Sequence, residues 1–313
     1  MARYVTISTI GHHAPSSVGI NKENAVEEMM KFWDSRLAQV MPDKPDLIVL
    51  PECCDRYHDM STEDKKEYYK IRGDKMLRYF CQKAKENNCY IAYSAYFEVQ
   101  DGTSRNCTQL IDREGEVAGI YNKNHLVIEE TTQSGILCGK DANLIETDFG
   151  SVGCAICFDL NFNELRLKYA AQKPDLIIFS SMYHGGLMQP YWAYSCRAHF
   201  VGAIHANPSA IISPSGETLA QTTNYFDHVT HTVNLDCKLI HLDYNWNKIT
   251  AAKEKYGRGF CMKDPGYLGA VLVSSELEDV TIDEIIDEFE FELLDDYMER
   301  ALAHRHNPDH MEK

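Results

Sequence analysis

The sequence predicts an α/β protein, a four-layer α-β-β-α sandwich built from two pseudo-symmetric halves. Three observations carry this reading. Short, apolar, β-branched runs alternate with amphipathic helical stretches. The segment KPDLIVL at 44–50 returns as KPDLIIF at 173–179. A hairpin follows each copy, QLIDREGEVA at 109–118 and SAIISPSGETLA at 209–220. The order strand, helix, PDLI strand, helix, strand, hairpin therefore occurs twice. If each half makes a sheet with helices on one face, the two bare faces must pack on each other.

The elements follow in chain order. Residues 3–10 alternate and are β-branched, which predicts the first strand. Between 21 and 40, Ala25, Val26, Met29, Met30, Trp33, Leu37 and Val40 recur at helical spacing. Residues 45–52 are a short apolar strand ending on Glu52. The stretch 53–70 is polar and tyrosine-rich, a loop with some helix. A helix over 74–87 leads to strands at 90–99 and 104–112, a turn at 113–116, and a return strand over 117–121. The second half predicts a strand at 151–156, helices at 165–172 and 189–200, strands at 173–179 and 202–206, and the hairpin at 209–220.

From about residue 236 the character changes. Residues 240–256 read as irregular to helical, and 276–310 as a strongly acidic helix carrying Ile285, Ile286, Phe289, Phe291, Leu293, Leu294, Tyr297 and Met298. The expected division is a main domain over 1–275 and an acidic helical extension over 276–313, packed on the body or on a partner subunit.

Composition narrows the function. Hydrophobic residues make up 44% of the 313, enough for a large core. A net charge of −16 argues against a nucleic-acid partner. No apolar run approaches the ~20 residues that span a bilayer, and the amino terminus does not read as a signal peptide. Eleven cysteines, an odd number without framework spacing, fit the cytoplasm better than a disulfide scaffold.

The chemistry gathers at residues 150–164, GSVGCAICFDLNFNE. An apolar strand runs into a turn rich in cap residues (Asp159, Asn161, Asn163) and then a helix, with Gly153 leaving room for close packing. Cys157 thus sits at a strand's carboxyl end and near a helix's amino end, where backbone N–H groups favour an anion. Glu52 and Lys123 also stand at strand ends. A thiol with a pKa of about 8.5 needs a base, which a buried carboxylate can be. A developing oxyanion needs positive charge, which an ammonium supplies.

In these surroundings the sequence resembles the nitrilase superfamily of carbon–nitrogen hydrolases. The matching pieces are DLIVLPE at 46–52, YNKNHL at 121–126, GCAICFDLNFNEL at 153–165, Arg197-Ala198, and SPSG at 213–216. The resemblance implies a Glu–Lys–Cys triad. Cys157 would be the nucleophile that forms a thioester, Glu52 the general base, and Lys123 with the backbone N–H of Phe158 the oxyanion site. A second glutamate is expected shortly after the lysine, at Glu129 or Glu130, with Glu130 preferred. His125 is expected to be a structural neighbour. Glu129, Asn161, Tyr183 and His184 are candidate substrate contacts, and His12 and His13 are expected to rim the site. The resemblance implies water and a small amide or carbamoyl compound as reactants, no cofactor or metal, and a homo-oligomer, a dimer or higher.

Phe158-Asp159 stands where nitrile-cleaving members carry Trp-Glu, which favours an amide or N-carbamoyl amine over a nitrile. Leu160 and Asn161 stand where carbamoyl-amino-acid hydrolases often carry arginine. Two rivals remain. Cys154 and Cys157 spell C-x-x-C, but period two puts their side chains on opposite faces and no second pair completes a metal site. A catalytically idle binding or scaffold relative would keep the fold without turnover.

Overall fold

The computed structural model describes residues 1–99, 101–206 and 208–312. The chain divides into two compact units, Val5–Val233 and a second made of Met1–Tyr4 with Asn234–Lys313.

The first half of the larger unit runs β1 (Tyr4–Ile10), α1 (Ala25–Val40), β2 (Leu47–Val49), α2 (Thr62–Arg72), α3 (Lys75–Asn87), β3 (Tyr90–Glu98), β4 (Ser104–Ile111) and β5 (Val117–Asn122). After a short helix α4 (Ile128–Thr132) come β6 (Ile145–Glu146), β7 (Ser151–Ile156), α5 (Asn163–Gln172), β8 (Leu176–Ser181), α6 (Met188–Cys196), β9 (His199–Ile204), β10 (Ala210–Ile212), β11 (Thr218–Gln221) and β12 (His228–Asn234). Two six-stranded sheets result, ordered β12-β1-β2-β3-β4-β5 and β11-β10-β9-β8-β7-β6. In each, helical crossovers make three strands parallel and hairpins append two antiparallel ones. The sheets meet directly. Thr9 Oγ1 donates to Gly202 O at 2.8 Å, and Ser180 Oγ to Leu50 O at 2.8 Å. Two sheets flanked by helices make the α-β-β-α sandwich expected from the repeat.

The repeated KPDLI segment has a physical reason. Lys44 and Lys173 adopt left-handed φ of 50° and 55° and close the preceding helical turn in both halves. The proline that follows cannot continue a helix. The aspartate then accepts a backbone N–H from the neighbouring parallel strand: Asp46 from Thr6 at 2.9 Å, and Asp175 from Ser151 at 2.9 Å. Each copy is a helix stop joined to a register lock. Buried tryptophans repeat the symmetry. Trp33 Nε1 donates to Cys54 O and Trp192 Nε1 to Leu160 O, each at 3.0 Å, and each carbonyl lies just beyond a candidate site residue.

Two expectations change. The helix predicted over 189–200 ends at Cys196, because Arg197 turns left-handed with φ 56°, and β9 starts at His199. The acidic stretch is not one helix. In the smaller unit β13 (Cys237–His241), α7 (Trp246–Tyr256), β14 (Phe260–Lys263) and β15 (Ala270–Ser275) precede α8 (Ile282–Phe289) and α9 (Leu294–His306). Glu290, with φ 52°, breaks α8 from α9.

Strands β13, β15 and β14 form a separate antiparallel sheet. Against it α8 buries Ile282, Ile285 and Ile286 with Ile240, Phe260, Val271, Val273 and Phe291. The boundary between units thus falls at Val233/Asn234, close to the change of character near residue 236 and ahead of the expected division at 275/276; among the described residues these three strands form a sheet of their own. Among the described residues no helix is long and apolar enough to cross a membrane.

Candidate active site

Glu52 follows β2, Lys123 follows β5, and Cys157 follows β7. The first two come from one sheet and the third from the other, so the residues meet where strand ends of both sheets converge. Cys157 has a left-handed φ of 49°, a sparsely populated conformation for a non-glycine residue, and opens a single 3-10 turn, Cys157–Asn161. Behind it, Tyr169 of α5 packs against Gly153, where an added Cβ would lie 3.1 Å from the ring, and its hydroxyl donates to Cys154 O at 2.7 Å. Gly153 therefore serves the close approach expected of it, and Cys154 lies in the core.

Lys123 is buried between two carboxylates. Its Nζ donates to Glu52 Oε1 at 2.9 Å and to Glu130 Oε2 at 2.8 Å. Asn106 Nδ2 joins the same pair, donating to Glu52 Oε1 at 2.7 Å and Glu130 Oε1 at 3.0 Å. The Tyr96 hydroxyl and the Val127 N–H complete the shell of Glu130 at 3.1 and 3.0 Å, and the Met182 N–H reaches Glu52 Oε2 at 3.2 Å. Burial opposes the charge on Lys123, but the two carboxylates hold its ammonium above the ordinary lysine value. Burial likewise pushes Glu130 up, and is outweighed by Lys123, Asn106 and the Val127 N–H, which hold its carboxyl below the usual range.

The Cys157 thiol is pushed up to about 12, first by burial and then by the charge of Glu52, to which it also hydrogen-bonds; Lys123 and the Met182 N–H pull the other way. The sulfur therefore rests as a thiol, not a free thiolate.

The other expected residues divide. Glu129 is exposed, whereas Glu130 is buried on Lys123. Phe158 follows Cys157 in the turn, whose first amides have no partner within it, and its ring packs edge-on to Phe162. Asn161 Nδ2 donates to Phe158 O at 3.1 Å and to the Tyr183 hydroxyl at 3.0 Å. Tyr183 lies in the field of Cys157, and its phenol is pushed up to about 12, chiefly by burial. His184 is exposed, its ring accepting the Gly186 N–H at 3.1 Å. His12 is buried on Phe32 and Trp33, and burial pulls it down to about 3.

Asp159 does not cap α5 but closes the start of the 3-10 turn, and it does more than that. Its buried carboxylate accepts the Tyr121 hydroxyl at 2.7 Å, the His125 N–H at 2.8 Å, His125 Nδ1 at 2.9 Å and the Ile156 N–H at 3.0 Å. It thereby clamps the Lys123 loop to the Cys157 turn. His125 stacks on Phe162 and reaches Glu164 with Nε2. Sequence reading also missed Asn106 and Tyr96. They face each other across β3 and β4, a register that a single sequence does not display. Among the described residues no group of three or more His, Cys, Asp or Glu is arranged to hold a metal ion.

Two facing sheets with a thiol, a carboxylate and an ammonium at their strand ends define an α-β-β-α sandwich with a thiol-centred polar site. Residues 14–241 match the family model for carbon-nitrogen hydrolase, so the chain belongs to that family, within the nitrilase superfamily. It is 22% identical over 252 residues to nitrilase homolog 2 of Dictyostelium discoideum, an alignment covering 75% of this chain and 74% of that protein. Its fold resembles Nit3 of Saccharomyces cerevisiae, a member of branch 10 of the nitrilase superfamily, with a TM-score of 0.62 at 17% identity over 74% of this chain and 90% of that one. An amidase from Nesterenkonia sp. AN1, captured with the acetamide moiety of fluoroacetamide added covalently to its active-site cysteine, matches with a TM-score of 0.59 at 15% identity over 74% of this chain and 89% of that one.

Proposed function

We propose that this carbon-nitrogen hydrolase cleaves a non-peptide C–N bond of a small linear amide or N-carbamoyl amine through a thioester on Cys157, releasing ammonia. The observation that carries the reading is the placement of Glu52. It lies beside a thiol raised to about 12 and is bonded at 2.9 Å to the buried Lys123 ammonium. A thiol so raised attacks only as its proton leaves, and Glu52 is there to take it. As sulfur adds to the carbonyl carbon, the oxygen's negative charge falls to Lys123 and the Phe158 N–H. The proton on Glu52 passes to the departing nitrogen, the C–N bond breaks, and ammonia leaves a thioester. Water then attacks the thioester carbonyl, Glu52 takes its proton, and collapse returns that proton to the sulfur and frees the acid. Glu130 holds Lys123 in place. Asn161 and Tyr183 line the acyl side of the turn.

The amidase among the fold neighbours carries covalent chemistry on its cysteine, which supports the role given to Cys157. We place the protein in the cytoplasm, where eleven singly packed thiols stay reduced, and read it as a homo-oligomer. Ammonia release across small amides, N-carbamoyl amines and nitriles tests the reading. Amides or carbamoyl compounds should turn over, and Cys157→Ala should lower the rate at least about a thousandfold while remaining folded. A preference for nitriles overturns the substrate class. An alanine variant as fast as the parent overturns the mechanism.

A further inference from the structure

We propose that Tyr169 of α5 is a positioning residue for Cys157: its hydroxyl takes the place of a neighbouring strand along the open edge of β7 and so fixes where the sulfur stands. The proposal rests on the amidase reading above for turnover, while the reactivity of the sulfur tests it separately.

β7 ends at the nucleophile, and its two edges are held differently. On one side β8 pairs with it from Val152↔Leu176 to Ile156↔Ser180. On the other side, among the described residues, β6 is two residues long and reaches only Ser151 and Val152. Ser151 O accepts the N–H of Asp175, just before β8, at 3.0 Å. The backbone groups of Cys154 and Ile156, an odd number of residues further on, therefore turn to the open side. Backbone groups buried without a partner are costly. Here side chains meet them. The Tyr169 hydroxyl accepts the Cys154 N–H at 3.2 Å and donates to Cys154 O at 2.7 Å, and Asp159 Oδ2 accepts the Ile156 N–H at 3.0 Å. A hydroxyl serves a donor and an acceptor at once, as a paired strand does with two groups. Burial holds the phenol well above its ordinary value, so the proton it donates stays on it.

Two further features fit this role. Gly153 leaves the space that the ring occupies, since an added Cβ would lie 3.1 Å from two of its carbons. Cys157, three residues beyond Cys154, holds a left-handed φ of 49°, a conformation that persists only where the surroundings over-determine it. β8, Asp159 and Tyr169 supply that determination from different sides. Tyr169 acts through the backbone of β7, so its effect falls on the approach of the sulfur to Glu52 and not on substrate binding.

Tyr169→Phe keeps the ring and removes both bonds. It should lower kcat about tenfold with KM within about twofold, and slow the alkylation of Cys157 by iodoacetamide about tenfold, read by mass spectrometry on the Cys157 peptide. Gly153→Ala, which pushes the ring from its seat, should do the same. The double variant should be little slower than either single one, because both act through one contact. Tyr57→Phe is the control. That buried phenol donates to Ala25 O at 2.7 Å, so its loss should lower the urea midpoint as Tyr169→Phe does, while kcat and alkylation keep the parent's values.

Parent-like kcat and alkylation in Tyr169→Phe overturn the inference, as do equal losses in Tyr57→Phe or losses that multiply in the double variant. If the far-UV spectrum shows Tyr169→Phe unfolded, Gly153→Ala decides on the same outcomes. Slowed alkylation in variants of a parent that releases ammonia from no amide would overturn the amidase reading and leave the positioning role standing.

Discussion

Glu130 illustrates how far one position decides the chemistry at residue scale. Glu129 and Glu130 are chemically identical and adjacent, yet one is in solvent and the other accepts Lys123, Asn106, Tyr96 and the Val127 N–H. The five-residue α4 offers too little periodicity to choose between them from sequence. By contrast, Glu52, Lys123 and Cys157 were legible, because each ends a strand whose apolar pattern is plain. Asn106 and Tyr96 were not, because their place beside Glu130 depends on strand register.

A buried carboxylate bonded to an ammonium is destabilising to remove, and Glu130→Gln should cost about 3 kcal/mol at neutral pH, with Glu129→Gln close to neutral. The pH dependence follows from the lowered Glu130 carboxyl. The folded protein binds fewer protons there than the unfolded chain, so the contribution is present above the ordinary carboxylate value of about 4.3 and is lost as pH falls through the folded one. Urea unfolding should show the gap between parent and Glu130→Gln narrowing as pH drops from about 7 to about 3. A constant gap would mean that the Glu130–Lys123 pair does not form.

The KPDLI copies were visible at the scale of elements because helix stop and strand start are both local chemistry: a lysine that turns left-handed, a proline, and an aspartate that bonds the next strand. The apolar positions of the acidic segment were visible in the sequence, but its division into two helices was not. Thr281 and Glu284 form a reciprocal cap at the start of α8, and Ile282, Ile285 and Ile286 leave solvent on one face. The break at Glu290 needs a left-handed residue that is not glycine, which sequence does not announce. If α8 is part of the smaller unit's core, Ile285→Ala should cost about 3 kcal/mol and Thr281→Ala about 1 kcal/mol in chemical unfolding. An extension that merely rests on a surface would tolerate both changes within about 0.5 kcal/mol.

The whole molecule raises the question of what covers α5 and α6, the helical layer nearest the Cys157 turn. Leu167 of α5 is 56% exposed, Leu187 at the start of α6 is 76% exposed, and Tyr191 is 41% exposed with the Arg166 guanidinium 4.8 Å over its ring. Single exposed apolar residues are ordinary, but these lie on two neighbouring helices that pack on each other. A two-fold axis through this layer would set the patch against its own copy, the commonest closed assembly. The same helices brace the nucleophile: α5 carries Tyr169 against Gly153, and α6 carries Trp192 to the Leu160 carbonyl. Assembly and activity should therefore fall together. Light scattering on a sizing column should give a mass of at least twice the 35.8 kDa chain. Leu167→Glu combined with Tyr191→Glu should shift it to the single-chain mass and lower kcat several-fold without changing the far-UV spectrum. A parent that elutes as a single chain, or a double variant that still assembles, would remove this face from consideration as the interface.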